Sequence, residues 1–214
     1  MYDMLCPGCG HRTAMMLLDD IIKENNIKNK IILALDVACC SLLIDFVEYD
    51  SIMCAHGRVL DVTKGYKSMR KENIVVSYMG DGAAYSIGVE EMIHSARRKD
   101  DALVIVINNG LYSMTGGQIT PTTIIDNKGF LIEELLKPFD ISYGARCALT
   151  DIDSINMAKS YITKALDNYV NKGGFNIIEL LSPCLTNYKV TPKEAVKYIN
   201  EEVTKIYKIG EFNI

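Results

Sequence analysis

The stretch Ile74-Val75-Val76-Ser77-Tyr78-Met79-Gly80-Asp81-Gly82 decides how this chain is read. Its first six residues are mostly apolar on both alternating faces. That is the pattern of a strand buried on both sides in a parallel sheet. The run then stops on an acid held between two glycines. An acid at the carboxyl end of a parallel strand lies where open α/β sheets bind ligands. Flanking glycines let backbone N–H groups approach a phosphate closely. A lone Gly-Asp-Gly is also an ordinary turn, so the neighbouring sequence has to carry the argument.

Working outward, runs of the same kind recur at 31–35 (IILAL), 102–108 (ALVIVIN) and 175–181 (FNIIELL). Between them apolar residues repeat at helical spacing: Ala14, Leu17, Leu18, Ile21 and Ile22; Val89, Met92, Ile93 and Ala96; Ile155, Ala158, Ile162, Ala165 and Tyr169. A helix is expected from about Ser86. Val196, Ile199, Val203 and Ile206 predict a last helix, which Pro192 after Thr191 opens. The alternation predicts an α/β fold with a doubly wound, mostly parallel sheet. A single domain is expected over 1–214, with a CxxC segment at its start and a C-terminal helical extension. The stretch 110–130 is glycine- and threonine-rich and aperiodic, and a loop of that length in a compact domain is usually functional.

The strand after Gly-Asp-Gly ends on Asn108-Asn109, with twenty-five residues between Gly82 and Asn108. A strand–helix–strand crossover returns the chain parallel to itself, so both polar pairs emerge at one sheet edge. A carboxylate and an amide oxygen there are hard ligands suited to Mg²⁺, which commonly bridges to phosphates.

The chain has 214 residues, 49% of them hydrophobic and 23% charged, with a net charge of −4. No basic tail or block points to nucleic acid; Arg97-Arg98-Lys99 runs straight into Asp100-Asp101. No apolar stretch reaches about 18 residues, so no membrane span is expected. No leader pattern opens the chain, and a cytoplasmic location is expected. An odd count of seven cysteines argues against a disulfide scaffold and toward metal or redox chemistry. Cys54 and Cys147 read as buried apolar fillers. Cys6 and Cys9, two apart, are compatible with zinc, a redox dithiol or a cluster.

Gly-Asp-Gly followed at this distance by Asn-Asn resembles the thiamine diphosphate motif of thiamine-dependent enzymes. That resemblance makes Asp81, Asn109 and the carbonyl of Leu111 the Mg²⁺ ligands. It places the cofactor against Gly80, Asp81, Gly82 and Ala83, and against Asn109, Leu111, Tyr112, Thr115 and Gly116. The run 108–118 (NNGLYSMTGGQ), Thr120-Pro121-Thr122-Thr123, Ala55-His56-Gly57-Arg58, Lys64-Gly65-Tyr66-Lys67 and the opening Cys-Pro-Gly-Cys-Gly-His narrow it further. Together they resemble the β subunits of 2-oxoacid:ferredoxin oxidoreductases. This implies oxidative decarboxylation of a 2-oxoacid to acyl-CoA and CO₂, with electrons passed through a 4Fe–4S cluster to ferredoxin. The implied cluster ligands are Cys6, Cys9, Cys40 and Cys184. Cys39 is an open alternative to Cys40, which the family pattern favours.

His56 and Arg58 are the candidates for contact with substrate or cofactor, Arg58 as a carboxylate receiver. His11 beside the CxxC either sets the site or caps its helix. Glu90 and Glu91 do not match the glutamate that activates thiamine, so an α subunit carrying a pyrimidine domain is expected to supply it. The chain lacks a CxxCxxCxxxCP motif, which assigns any further clusters to γ or δ subunits. Gly-Asp-Gly-Ala departs from the Gly-Asp-Gly-Asp of some members and leaves the particular 2-oxoacid open. Two alternatives stand beside this reading: a non-redox thiamine decarboxylase subunit, and a non-catalytic iron–sulfur electron-transfer subunit.

Overall fold

The computed structural model describes residues 4–213. The four apolar runs form β1 (Ile31–Asp36), β3 (Ile74–Gly80), β4 (Ala102–Asn108) and β8 (Phe175–Leu181). Two shorter strands, β2 (Ser51–Cys54) and β7 (Tyr143–Ala148), join them in parallel. A final pair of residues, β9 (Gly210–Glu211), adds antiparallel to β7. The sheet order is β2-β1-β3-β4-β8-β7-β9. Every residue of β1, β4, β7 and β8 is buried, as strands covered on both faces must be.

Alternate residues of each strand feed two cores. On one face Leu33, Leu35, Val76, Leu103 and Ile105 pack beneath α1 (Gly10–Glu24) and α5 (Ile152–Lys172). On the other, Ile32, Ala34, Val75, Val104 and Ile177 pack beneath α2 (Val59–Met69), α3 (Val89–Arg98) and α4 (Ile132–Leu136). The doubly wound expectation is met. The chain leaves β1 outward to β2 and then returns to β3 on β1's other side. A crevice therefore opens at the carboxyl ends of β1 and β3, the switch point where such sheets take ligands.

Several elements differ from expectation. The polypeptide turns helical already at Asp81, and Ala83–Ile87 wind as a π-helical turn before α3 begins. Such turns are frequent at functional sites. Within 110–130 a small hairpin forms from β5 (Leu111–Tyr112) and β6 (Gln118–Ile119). Strand β7 escapes apolar pattern reading because Arg146 lies in its middle. That arginine is 1% exposed and pairs with Glu179 on β8, buried at 0%, and with Glu133 on α4. Beyond β8 come a four-residue helix α6 (Leu185–Tyr188) and the expected helix α7 (Pro192–Tyr198). A capping box between Thr191 and Glu194 opens α7. It continues through a π turn into α8 (Thr204–Ile206).

Removing Arg146 leaves the Glu179 carboxylate unpaired in the core. Arg146→Met should therefore lower unfolding free energy by about 3–5 kcal/mol, and Thr191→Ala by only about 1 kcal/mol, both read by urea unfolding.

Candidate functional site

The carboxyl ends of β1, β3 and β4 wall a cleft of about 120 Å³. Segment 37–40 forms one side, Gly80–Ala83 the floor and 109–115 the other side, with His11 and His56 at the margins. Asp81 sits in it 1% exposed. Its Oδ2 accepts from the hydroxyls of Thr120 at 2.7 Å and Thr122 at 2.5 Å, and its Oδ1 from the backbone N–H of Asn109 at 3.4 Å. Burial pushes its carboxyl up to about 6, against the pull of the two threonine hydroxyls. All three hydrogen-bond partners are neutral. A buried negative charge held this way is stabilised by an added cation.

The opposing loop is braced from behind. Asn109 Oδ1 accepts from Leu111 N at 3.0 Å, and Asn108 Oδ1 from Gly110 N at 3.1 Å. Asn108 Nδ2 donates to Glu179 Oε1 at 2.8 Å, which ties the loop to the Arg146 ion pair. Tyr188 donates its hydroxyl to the Asn109 carbonyl at 2.6 Å, and Tyr207 to the Thr122 carbonyl at 2.7 Å. Tyr112 closes over the floor so tightly that a Cβ on Gly82 would lie 2.3 Å from its ring. Glycine is thus required at 82. Thr115 lines the cleft, whereas Gly116, at φ +114°, belongs to the hairpin turn. Asp81, the Asn109 amide and the Leu111 carbonyl offer the hard oxygen donors Mg²⁺ prefers, and the glycine-floored turn suits a diphosphate.

His56 faces this cleft through an arrangement the sequence did not disclose. Its Nδ1 lies 2.6 Å from Oδ2 of Asp36, a fully buried carboxylate at the end of β1. The other Asp36 oxygen accepts from Gly57 N at 2.7 Å. An ionised Asp36 assigns the proton to Nδ1 and leaves Nε2 as the free ring nitrogen. Arg58 does not join it. Its guanidinium pairs with Glu90 on α3 and lies 4.0 Å from Asp61, outside the cleft.

Cys39 lines the cleft, and Asn187 ties Cys184 to the cleft residue Ser113. Gly10 N donates to Ser182 Oγ at 3.2 Å, which pins the start of α1 against the end of β8. Cys6 and Cys9 thereby come near Cys184. Burial raises the Cys9 thiol, opposed by a hydrogen bond from the His11 backbone, with Cys6 and Cys184 adding to the rise. Cys39 is pushed up to about 11, by burial first and then by Cys9, Cys184 and Cys6. Cys39 thus feels the other three, and Cys9 feels Cys6 and Cys184. Cys40, expected as the third ligand, is engaged elsewhere: its fully buried Sγ donates to the Asp36 carbonyl at 3.2 Å. The two residues are consecutive in a 3₁₀ turn (Cys39–Asp45), where successive side chains point about 120° apart. Cys9, Cys184 and Cys6 act on Cys39, whereas Asp36 and Cys39 act on Cys40. Among the described residues no group of three His, Cys, Asp or Glu side chains is drawn together to hold a metal ion. Cys54 and Cys147 are buried fillers as expected. His11, 3% exposed, lines the cleft, with Nδ1 3.2 Å from Tyr78 Oη. Burial lowers its ring to about 4.

The fold and cleft define a thiamine pyrophosphate-binding domain. The family described as "Thiamine pyrophosphate enzyme, C-terminal TPP binding domain" matches residues 39–180. The ketoisovalerate oxidoreductase subunit VorA of Methanothermobacter marburgensis is 30% identical over 97% of this chain and 47% of its own length. The chain thus spans about half of that relative. The 2-oxoglutarate synthase subunit KorB of Archaeoglobus fulgidus is 30% identical over 92% of this chain and 75% of its own. A 2-oxoglutarate:ferredoxin oxidoreductase structure from Magnetococcus marinus, solved with 2-oxoglutarate, coenzyme A and succinyl-CoA bound, shares the fold. Its TM-score is 0.78 at 20% identity, over 99% of this chain and 81% of that one. The chain belongs to the β subunits of the 2-oxoacid:ferredoxin oxidoreductase family.

Asp81 titrates higher in the folded chain than in the unfolded one. Without a cation its ionisation opposes folding above about pH 6, and that penalty fades as pH falls toward 4. Asp81→Asn should therefore raise the melting temperature of the cation-free chain at pH 7.5, by on the order of 1–3 kcal/mol in stability. Calorimetry should show the gain shrinking toward pH 4.

Proposed function

We propose that this chain is the thiamine-diphosphate-binding β subunit of a CoA-acylating 2-oxoacid oxidoreductase. The observation that carries the proposal is the juxtaposition of the buried Asp81 cleft, which Cys39 lines, with the Cys6–Cys9 loop and Cys184, drawn to the same edge by Gly10–Ser182 and by Thr186 and Asn187. The chain acts as a single cofactor-binding unit. Asp81, Asn109 and the Leu111 carbonyl hold Mg²⁺, and the Gly80–Ala83 turn with Tyr112 and Thr115 holds the diphosphate. Cys6, Cys9, Cys39 and Cys184 hold a 4Fe–4S cluster. When bound, thiamine diphosphate supplies the electron sink for decarboxylation, and the protein supplies orientation and electrostatics.

The chain's own residues then have separate tasks. Thr120 and Thr122 fix the rotamer of Asp81 against its charge. Asp36 holds the His56 ring so that Nε2 is available to take or give a proton at the cleft. Tyr112 shields the floor from water. An α subunit supplies the pyrimidine-activating glutamate and shares the 2-oxoacid pocket, while γ or δ subunits and ferredoxin carry electrons onward. Coenzyme A is the acyl acceptor. Among the described residues no helix is long and apolar enough to cross a membrane. We place the complex in the cytoplasm, which suits seven unpaired cysteines.

The test is an anaerobic assay of the co-purified complex with a panel of 2-oxoacids. CoA-dependent viologen reduction with at least one of them is expected. Thr120→Val, which removes an outer hydrogen bond to Asp81, should weaken Mg²⁺ by roughly 10–100-fold, and Asp81→Ala should do more. CoA-independent decarboxylation without dye reduction would instead establish the non-redox reading. Absence of both would overturn the proposal.

A further inference from the structure

Helix α6 is only four residues long, yet each residue reaches a different part of the two sites. Leu185 packs on the Cys6–Cys9 loop, where a Cβ on Gly8 would lie 2.7 Å from its Cδ1. Thr186 Oγ1 donates to Cys6 Sγ at 3.1 Å. Asn187 Nδ2 donates both to Cys184 Sγ at 3.2 Å and to the Ser113 carbonyl at 2.9 Å. Ser113 lines the cofactor cleft. Tyr188 N donates to the Cys184 carbonyl at 2.9 Å, and its hydroxyl holds the Asn109 carbonyl. Gly117 packs so closely on Asn187 that a Cβ there would lie 3.0 Å from the amide, which restricts its rotamer.

We infer that Thr186 and Asn187 are positioning residues that set the reduction potential of the cluster on Cys6, Cys9, Cys39 and Cys184, and that Asn187 also joins this cluster to the cofactor loop. The inference rests on the four-thiol reading above. An N–H or O–H dipole aimed at a ligand sulfur favours the state with more negative charge. The reduced cluster carries one electron more than the oxidised one, so both donors raise its potential. They thereby make the cluster a better acceptor for single electrons leaving the adjacent cleft. Neither residue is a ligand, and neither touches the reacting atoms. Thr186 is exposed, so replacing its hydroxyl by a methyl leaves the core undisturbed. Asn187 is half-buried and serves both sites through one amide, so its loss has two consequences where the loss of the Thr186 hydroxyl has one.

The test is a mediated potentiometric titration of the anaerobic complex with its partner subunits, followed by electron paramagnetic resonance. The relevant signal is the one that Cys9→Ala removes. Thr186→Val should move its midpoint negative, equivalent to about a three- to tenfold change in the reduced-to-oxidised ratio, where tenfold is 59 mV for one electron. Thr186→Ser should restore the midpoint. Mg²⁺-dependent thiamine diphosphate affinity should be unchanged in Thr186→Val. Asn187→Ala should shift the midpoint the same way and also weaken the cofactor, because it frees Ser113. An unchanged midpoint in Thr186→Val and Asn187→Ala would overturn the inference and leave the four-thiol reading standing. Absence of any signal dependent on Cys9 would overturn that reading, and the inference with it.

Discussion

A carboxylate held out of water at the end of β3 sets the terms for everything around it. Asp81 is buried deeply enough that its ionised form opposes folding, and it has no basic partner among its hydrogen bonds. The surrounding residues follow from that problem. Two threonines of the long loop turn their hydroxyls toward it, Asn109 offers a backbone N–H, and the loop ends are pinned by tyrosines from the C-terminal helices. On the proposed reading, a divalent cation and its diphosphate would complete the remaining charge.

The sheet order explains why this site has thiols for neighbours. The reversal between β1 and β3 puts the loop after β1, with Cys39, directly across the crevice from Gly80–Ala83. The end of β8 then delivers Cys184, and the Gly10–Ser182 hydrogen bond draws Cys6 and Cys9 to the same edge. Behind these loops the Arg146, Glu179 and Asn108 chain converts a buried ion pair into positional control of Asn109. An ion pair so deep is weak evidence for added stability. Its use here is to fix the geometry of a loop that has few apolar anchors of its own.

Much of this was legible in the residues. The four apolar runs became the four central strands, and Gly-Asp-Gly with Asn-Asn located the cleft. What escaped reading did so for physical reasons. Strand β7 carries a buried arginine whose partners lie 33 and 13 residues away, so its polarity looked like exposure. Helix α2 has a glycine and scattered polar residues, and only the sheet beneath it supplies its order. Cys39 and Cys40 are indistinguishable by spacing, and only the 3₁₀ turn and the Asp36 carbonyl separate them. Arg58 reads as an anion receiver until Glu90 is found across the helix pair. Asp36 gave no local signal at all, because its partner His56 lies twenty residues on.

On the proposed function, one sheet edge joins the cofactor cleft to a cluster held by Cys6, Cys9, Cys39 and Cys184. The most direct measurement is iron and acid-labile sulfide per β subunit in two variants of the anaerobic complex, each corrected for the other subunits. Cys39→Ala should lose the β-subunit cluster, while Cys40→Ala should keep it. Loss of iron and sulfide in Cys40→Ala with retention in Cys39→Ala would contradict this ligand set.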